Sequence, residues 1–260
     1  MSASKTRLLG CTIDTLRLEG AVEQLLDWSA EADAPCRYVV TPNVNHVVLL
    51  EDHRGLQSAY ADAAMVLADG MPLILASRLL RRGLPERVAG SDLVPALLAA
   101  ANARGARDGN QELRLFLLGA MPGVAARAAQ NIERQWPHVR VVGTLSPPLG
   151  FERDEVENEK ILAAIAEARP NVLAVGLGAP KQELWVHANR HRIAGCVALC
   201  IGASIDFLAG EKPRAPRWMR AAGIEWLHRI ASEPRRLVGR YWRDARVFPR
   251  LLWRELRAQG

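Results

Sequence analysis

The sequence predicts an α/β fold, with a mainly parallel, Rossmann-like sheet, helices on both faces and a basic helical appendage at the C-terminus. Strand-like and helix-like segments alternate over residues 1–210, which is typical of a parallel sheet covered on both sides. Residues 171–185 lead from an apolar strand through a glycine turn into a helix. Residues 211–260 differ in composition from the rest of the chain. We therefore expect an α/β domain over residues 1–210 and an appendage over residues 211–260.

The net charge of +6 is unevenly distributed along the chain. Residues 211–260 contain 13 Lys and Arg against 5 acidic residues, a net charge of +8. Subtraction from the totals of 34 and 28 leaves 21 basic and 23 acidic residues over residues 1–210, a net charge of −2. The same appendage holds four of the seven tryptophans. This change places the boundary near residues 210–213.

The hydrophobic content of 49% is sufficient for a folded core. No apolar run approaches the ~18–20 residues that span a bilayer, and residues 1–20 lack the apolar stretch of a signal peptide. We therefore expect the chain to stay in the cytoplasm unless something holds it at a surface. The four cysteines form no C-x-x-C pair, and Cys196 and Cys200 on one strand would lie ~13 Å apart, too far for a disulfide. Buried, reduced thiols are expected.

Hydrophobic periodicity and turn residues place the elements of the α/β domain. The predicted strands cover residues 8–13, 37–41, 65–68, 113–118, 139–143, 172–176 and 197–201. The predicted helices cover residues 21–28, 72–80, 93–103 and 154–168, with one more ending at Trp136 and one running from Pro180 toward Arg192. Residues 81–90 form a loop. Asn43 or Asn45 is expected to cap the helix after the second strand, and Ser91 the helix at residues 93–103.

The glycine turn at residues 176–180 is a candidate phosphate site. Gly176 and Gly178 allow a tight turn, and Pro180 is favourable at the first position of a helix. Unpaired N–H groups and the positive end of the helix dipole bind anions, with Lys181 and Gln182 in the first turn beside them. The pattern is not a Walker loop, and Lys181 replaces the third glycine of G-x-G-x-x-G. A tight turn without a ligand is the alternative.

Polar and small residues follow directly after several predicted strands. Because ligands bind beyond the carboxyl ends of parallel strands, we expect these residues to meet at one edge of the sheet. Asp69, on the turn before Pro72, could take a proton from a nucleophilic hydroxyl or could cap the next helix. Asp206 is a similar candidate, with core packing or capping as its alternative. The residues expected at this edge are Thr41, Asn43, Asp69, Gly70, Gly119, Gly178, Lys181, Gln182, Gly202 and Ser204.

The sequence contains no convincing metal site. His187 and His191 are four residues apart on one predicted helix, but no third ligand accompanies them. There is no D-x-D and no G-x-S-x-G nucleophile elbow. We therefore expect no metal and no cofactor.

The appendage predicts amphipathic helices. Residues 216–230 place apolar side chains on one helical stripe, and a second segment starts at residues 233–234. Seven arginines of that segment fall within an arc of about 120° opposite an apolar face, although Pro249 is expected to break or kink the helix. A basic helix with tryptophans is typical of a membrane-surface element. A nucleic-acid face and a solvated face packed on the main domain are the alternatives. The seven arginines are Arg236, Arg240, Arg243, Arg246, Arg250, Arg254 and Arg257.

Six motifs in this order resemble the WecG/TagA/CpsF glycosyltransferases over nearly the whole chain. They are T-P-N at 41–43, A-D-G at 68–70, P-E-R-V-A-G-S-D at 85–92, G-x-G-A-P-K-Q-E-x-W at 176–185, the run from 202 to D-F-L-A-G at 206–210, and the tail K-P-R-A-P-R-W…G-I-E-W-L-H-R…E-P-R-R-L.

This resemblance implies a membrane-associated, inverting transferase without a metal. Such enzymes move a sugar from a UDP-sugar, such as UDP-N-acetylmannosamine or UDP-glucose, to a saccharide on a polyprenyl diphosphate during surface-polysaccharide synthesis. We also expect an anionic membrane surface on the inner face of the cytoplasmic membrane as a partner, no nucleic acid, and a possible homo-oligomer.

The resemblance also implies roles for individual residues. Asp69 corresponds to the catalytic base, and Thr41, Asn43, Arg87 and Gln182 to active-site residues. The resemblance places Arg229, Arg236 and Arg240 near the diphosphate. Together with the turns after the strands, this predicts substrate binding at Asn43, Gly70, Gly178 and Lys181 as well. Two other classes stay open at this point, a nucleotide-dependent oxidoreductase on a Rossmann-like sheet and a membrane or nucleic-acid adaptor without catalysis.

Overall fold

The computed structural model describes residues 4–32, 34–109 and 113–258. Its centre is a six-stranded, all-parallel sheet with strand order β4-β3-β8-β7-β5-β6, and a separate antiparallel hairpin pairs β1 with β2. The strands are β1 (Lys5–Leu8), β2 (Cys11–Asp14), β3 (Arg37–Val40), β4 (Met65–Val66), β5 (Leu113–Gly119), β6 (Val139–Leu145), β7 (Val172–Gly176) and β8 (Val197–Cys200).

Helices cover both faces of this sheet. They are α1 (Leu18–Ser29), α2 (Val44–Leu50), α3 (Arg54–Ala61), α4 (Met71–Leu79), α5 (Gly90–Asp108), α6 (Val124–Gln135), α7 (Glu155–Ala168), α8 (Lys181–Asn189), α9 (Ser204–Leu208), α10 (Arg217–Ala221), α11 (Glu225–Ser232) and α12 (Pro234–Arg257). Side chains alternate across each strand, so Ala198 and Cys200 of β8 join the core on one face and Val197 and Leu199 that on the other. The predicted fold class is confirmed. All four cysteines are buried and free, as expected, and burial raises the pKa of the Cys36 thiol to about 11.

The prediction of one strand over residues 8–13 is wrong. Leu9 and Gly10 both have positive φ, 50° and 76°, and form the two-residue turn between β1 and β2. A turn of this kind matches the right-handed twist of a hairpin. The hairpin lies beside the main sheet, where Asp14 Oδ2 accepts a hydrogen bond of 2.8 Å from the Val66 N–H.

Two predicted helix caps have different outcomes. Asn43 caps α2, because its side chain accepts a hydrogen bond of 3.1 Å from the Asn45 N–H. Ser91 does not cap α5, which begins at Gly90 without a side-chain cap. A Cβ on Gly90 would lie 3.2 Å from Ile201 Cα, so the first turn of α5 packs directly against the end of β8. This contact requires the helix to begin earlier than the cap pattern indicates.

The appendage is helical, with two corrections. The predicted stripe over residues 216–230 is divided into α10 and α11, because Gly223 between them has a φ of 73°. The predicted break at Pro249 is wrong, since α12 continues through it. Packing maintains that helix, because Leu237 and Leu251 are buried, and Phe248 packs against the core. Within the described ranges, no helix combines the length and the apolar character needed to cross a bilayer.

Candidate active site

A cleft of about 640 Å³ lies at the carboxyl edge of the sheet, between the loops after β3, β4, β7 and β8 and the appendage helices α11 and α12. It brings together eleven of the residues predicted for the site or for the sheet edge. They are Thr41, Asn43, Asp69, Gly70, Arg87, Gly178, Gln182, Gly202, Ser204, Arg229 and Arg240.

Three predicted residues, Gly119, Lys181 and Arg236, are not placed there. Lys181 does not line the cleft, because its ammonium group pairs with Glu152 Oε1 at 2.8 Å. Arg236 is a residue of α12, and its side chain is not among those that the structure describes. Asp206 does line the cleft, from the short helix α9.

Asp69 follows β4, and its backbone N–H donates a hydrogen bond of 2.8 Å to the Pro42 carbonyl after β3. This bond joins the ends of two neighbouring strands, so the carboxylate is held at the sheet edge. The capping alternative is wrong, because α4 begins behind Gly70 with no side-chain cap. The Asp69 side chain is 26% exposed and lies 3.8 Å from Arg87 Nη1.

The surroundings of Asp69 raise the pKa of its carboxyl group to about 6. Burial is the largest cause, since it disfavours the charged form. The positive charges of Arg87 and Arg229 lower this pKa, and the negative charge of Glu225 raises it. A carboxyl group with a pKa near 6 is mostly ionised at neutral pH and can still accept a proton, as a general base must.

Arg87 connects the α/β domain with the appendage. Its guanidinium group contacts Asp92 Oδ2 at 2.6 Å and Glu225 Oε2, on α11, at 3.3 Å. Asp92 in turn pairs with Arg214 at 2.7 Å and with Arg220 at 3.5 Å. This network holds the residues before α12 against the loop that carries Arg87. Both sides of the cleft are therefore joined by paired charges.

Glycines allow three loops to meet at the floor of the cleft. A Cβ on Gly119 would lie 2.5 Å from the Gly176 carbonyl oxygen, and one on Gly176 would lie 2.8 Å from that of Gly202. Any larger residue at these positions would force the loops apart. The close approach places the start of α8 beside the end of β8, where Gln182 Oε1 accepts a hydrogen bond of 3.0 Å from the Gly202 N–H.

The appendage forms the opposite wall of the cleft. A Cβ on Gly223 would lie 2.1 Å from Met71 Cγ, so the turn between α10 and α11 contacts the start of α4, two residues from Asp69. On α12, Arg240 and Tyr241 line the cleft, and the Arg240 guanidinium carbon lies 5.3 Å from the centre of the Tyr241 ring. The appendage therefore encloses Asp69 rather than extending away from it.

Among the buried or half-buried polar residues that sequence reasoning missed, His46, Glu225 and Asp244 line the cleft and Glu183 lies next to it. Glu183 is fully buried beside Gln182, and Asp244 is 3% exposed with its pKa raised by burial. The spacing of Asn43 and His46 is that of a capping box, which could have indicated His46. Glu183 and Glu225 stand within two of the motifs that carry the resemblance, but no role was predicted for them, and no local pattern marks Asp244. Their burial depends on elements distant in sequence.

A carboxylate with a raised pKa, amides and arginines in a cleft at the carboxyl edge of a parallel sheet are typical of group-transfer enzymes acting on phosphorylated substrates. The chain belongs to the glycosyl transferase WecG/TagA/CpsF family, whose family model matches residues 6–260.

Two relatives have the same name, N-acetylglucosaminyldiphosphoundecaprenol N-acetyl-beta-D-mannosaminyltransferase. The protein from Staphylococcus aureus (strain MW2) is 26% identical over 236 residues, which cover 91% of this chain and 88% of that protein. The protein from Bacillus spizizenii (strain ATCC 23059 / NRRL B-14472 / W23) is 28% identical over 213 residues, which cover 82% and 76%. The resemblance in the sequence motifs is thereby confirmed.

Proposed function

We propose that this protein is an inverting glycosyltransferase that moves a sugar from a UDP-sugar to a saccharide on a polyprenyl diphosphate. The observation that carries the proposal is Asp69, a carboxylate with a pKa of about 6 in the cleft. The names of the two relatives support an N-acetylglucosaminyl diphosphate lipid as acceptor and an N-acetylmannosaminyl group as the transferred sugar. The product would serve bacterial cell-surface polysaccharide synthesis.

In this mechanism Asp69 takes the proton from the acceptor hydroxyl while that oxygen bonds to the anomeric carbon of the donor. The bond from this carbon to the diphosphate oxygen breaks, and UDP leaves with the bonding electron pair. One displacement from the face opposite UDP inverts the configuration. The proton rests on Asp69 until water removes it.

The leaving diphosphate develops negative charge, and the cleft offers positive groups for it. Arg229 and Arg240 line the cleft from the appendage, and Gly178 lines it just before the N-terminus of α8. Arginines and helix N-termini stabilise such charge in the transition state. No metal and no cofactor has a role in this proposal.

The test is UDP release by the purified chain from a set of UDP-sugars, with an N-acetylglucosaminyl diphosphate carrying a short alkyl chain as acceptor. We expect acceptor-dependent release of UDP and a β-linked disaccharide product from an α-linked donor, both unchanged by EDTA. Retention of the anomeric configuration would contradict the mechanism. Complete loss of activity in EDTA, with recovery on adding Mg²⁺ or Mn²⁺, would contradict it as well. NAD(H) binding without sugar transfer would favour an oxidoreductase instead.

We further propose that residues 211–260 hold the protein on the inner face of the cytoplasmic membrane. The apolar face of α12 is packed on the α/β domain, so membrane contact must use its outer face. Val238, Trp242 and Trp253 are 52%, 67% and 58% exposed, and at ~100° per residue they share one side of the helix. Exposed arginines, among them Arg246 and Arg257, lie on that side as well. Tryptophans with arginines favour the interface of an anionic bilayer.

Changing Trp242 and Trp253 together to Ala is expected to weaken binding to anionic vesicles by about 10-fold or more, since burying one large apolar side chain is worth about 1.5–3 kcal/mol. Vesicle sedimentation measures this loss, and turnover on the short-chain acceptor should stay near that of the parent. Leu149→Ala, an exposed position outside the appendage, is the control and should change neither. Unchanged sedimentation of the double variant would contradict this assignment of the membrane face.

A further inference from the structure

A chain of buried hydrogen bonds runs from the wall of the cleft into the protein and connects α2 with α8. Glu183 Oε1 accepts from Gln182 Nε2 at 2.7 Å and lies 3.3 Å from His46 Nε2. The other ring nitrogen of His46, Nδ1, lies 3.0 Å from Asn43 Oδ1 and 3.3 Å from the Asn43 backbone nitrogen. Two amides predicted for the active site are therefore contacted, Gln182 by Glu183 and Asn43 by His46.

These bonds determine which way each amide is oriented. A carboxylate only accepts hydrogen bonds, so the Gln182 nitrogen must face Glu183, and the Gln182 oxygen faces the Gly202 N–H. The Asn43 side-chain oxygen likewise accepts a hydrogen bond from the Asn45 N–H. The described hydrogen bonds leave the Asn43 side-chain nitrogen and one N–H of Gln182 without a protein partner. Both amides can thus offer donors, rather than acceptors, to an oxygen-rich ligand in the cleft.

Rotating the Gln182 amide would be costly. Gln182 is only 3% exposed, and turning it would place its oxygen against Glu183 and its nitrogen against the Gly202 N–H. Burying two such mismatched groups is strongly unfavourable. The orientation of the Gln182 amide therefore depends on the Gly202 N–H and on the acceptor oxygen of Glu183, and His46 adds a second contact to the same carboxylate oxygen.

We propose that Glu183 and His46 are positioning residues of the transfer reaction, which orient the amides of Gln182 and Asn43 so that their N–H groups face the substrate. This inference rests on the proposed function, because sugar transfer is its readout. Neither residue is the general base in this proposal, because both act through the amides that they contact.

The main test removes the hydrogen-bond acceptor at position 183 and leaves the side-chain volume nearly unchanged. Glu183→Met should lower kcat by about 10- to 100-fold, the value of a hydrogen bond to a charged group. Glu183→Gln keeps one carbonyl oxygen for the Gln182 nitrogen, and should retain activity within a few-fold of the parent. Glu167→Met, exposed on α7, is the matched control and should behave as the parent. Thermal melting verifies that each variant is folded.

A double-mutant cycle separates positioning from a purely structural role. In a Gln182→Ala background, Glu183→Met should cost less than about 3-fold, because its effect acts through the absent amide. Additive losses in this cycle would overturn the proposal, as would parental kcat in folded Glu183→Met. If that variant does not fold, His46→Leu with Asn43→Ala provides the same cycle, and additivity there would overturn it. Absence of transfer by the parent would instead reject the proposed function.

Discussion

Asp69→Asn is expected to lower turnover by about 10²- to 10⁴-fold, the usual contribution of general base catalysis. The amide has nearly the same shape as the carboxylate but cannot accept the proton of the acceptor hydroxyl. Binding of UDP-sugar, measured by calorimetry, should change little, because Asp69 acts on the acceptor. Turnover within a few-fold of the parent would reject Asp69 as the base.

The same variant should be at least as stable as the parent at pH 7. The folded-state pKa of Asp69 is raised from 3.8 to about 6, so ionisation of this group opposes folding as the pH rises between these values. At pH 7 the carboxylate is charged in both the folded and unfolded states, and its full destabilising effect is present. Asn removes that charge. Asp108→Asn, exposed at the end of α5, is the matched control and should alter neither turnover nor melting temperature.

Arg87→Met is expected to lower kcat/KM by about 10²- to 10³-fold, as does loss of an electrostatic donor in other active sites. It should also move the acid limb of the pH–rate profile. Asp69 must be deprotonated to act as a base, so the parent should lose kcat/KM as the pH falls through about 6. Because the charge of Arg87 lowers the pKa of Asp69, its removal should shift that limb to higher pH.

Glu225→Gln provides the opposite change at the same place. Its negative charge raises the pKa of Asp69, so the amide should shift the acid limb to lower pH. Profiles of kcat/KM between pH 4.5 and about 9 for the three proteins test both directions. If the acid limb moved in the same direction in both variants, or did not move in either, a group other than Asp69 would control the loss of kcat/KM at low pH.

Much of the fold followed from patterns within single segments. The strands at β7 and β8 are short apolar runs between turn residues, and their burial on both faces requires helices on both sides. Asp69, Thr41 and Gln182 could be assigned to one cleft because the carboxyl ends of parallel strands meet at one edge. Errors arose where a second element determines the local structure. Gly90 packs against Ile201, and Leu9 and Gly10 turn a segment whose composition indicates a strand.

Local sequence patterns were enough to predict the alternation of strands and helices, the charge difference between residues 1–210 and 211–260, and the set of polar residues after the strands. These are properties of neighbours in the chain, which periodicity and turn chemistry report directly. Other features could be seen only in the folded protein: the apolar face of α12 packs on the α/β domain, Gly223 contacts Met71, and Glu183 lies 3.3 Å from His46. These contacts join residues far apart in sequence, and burial, which sets the pKa of Asp69, depends on all of them together.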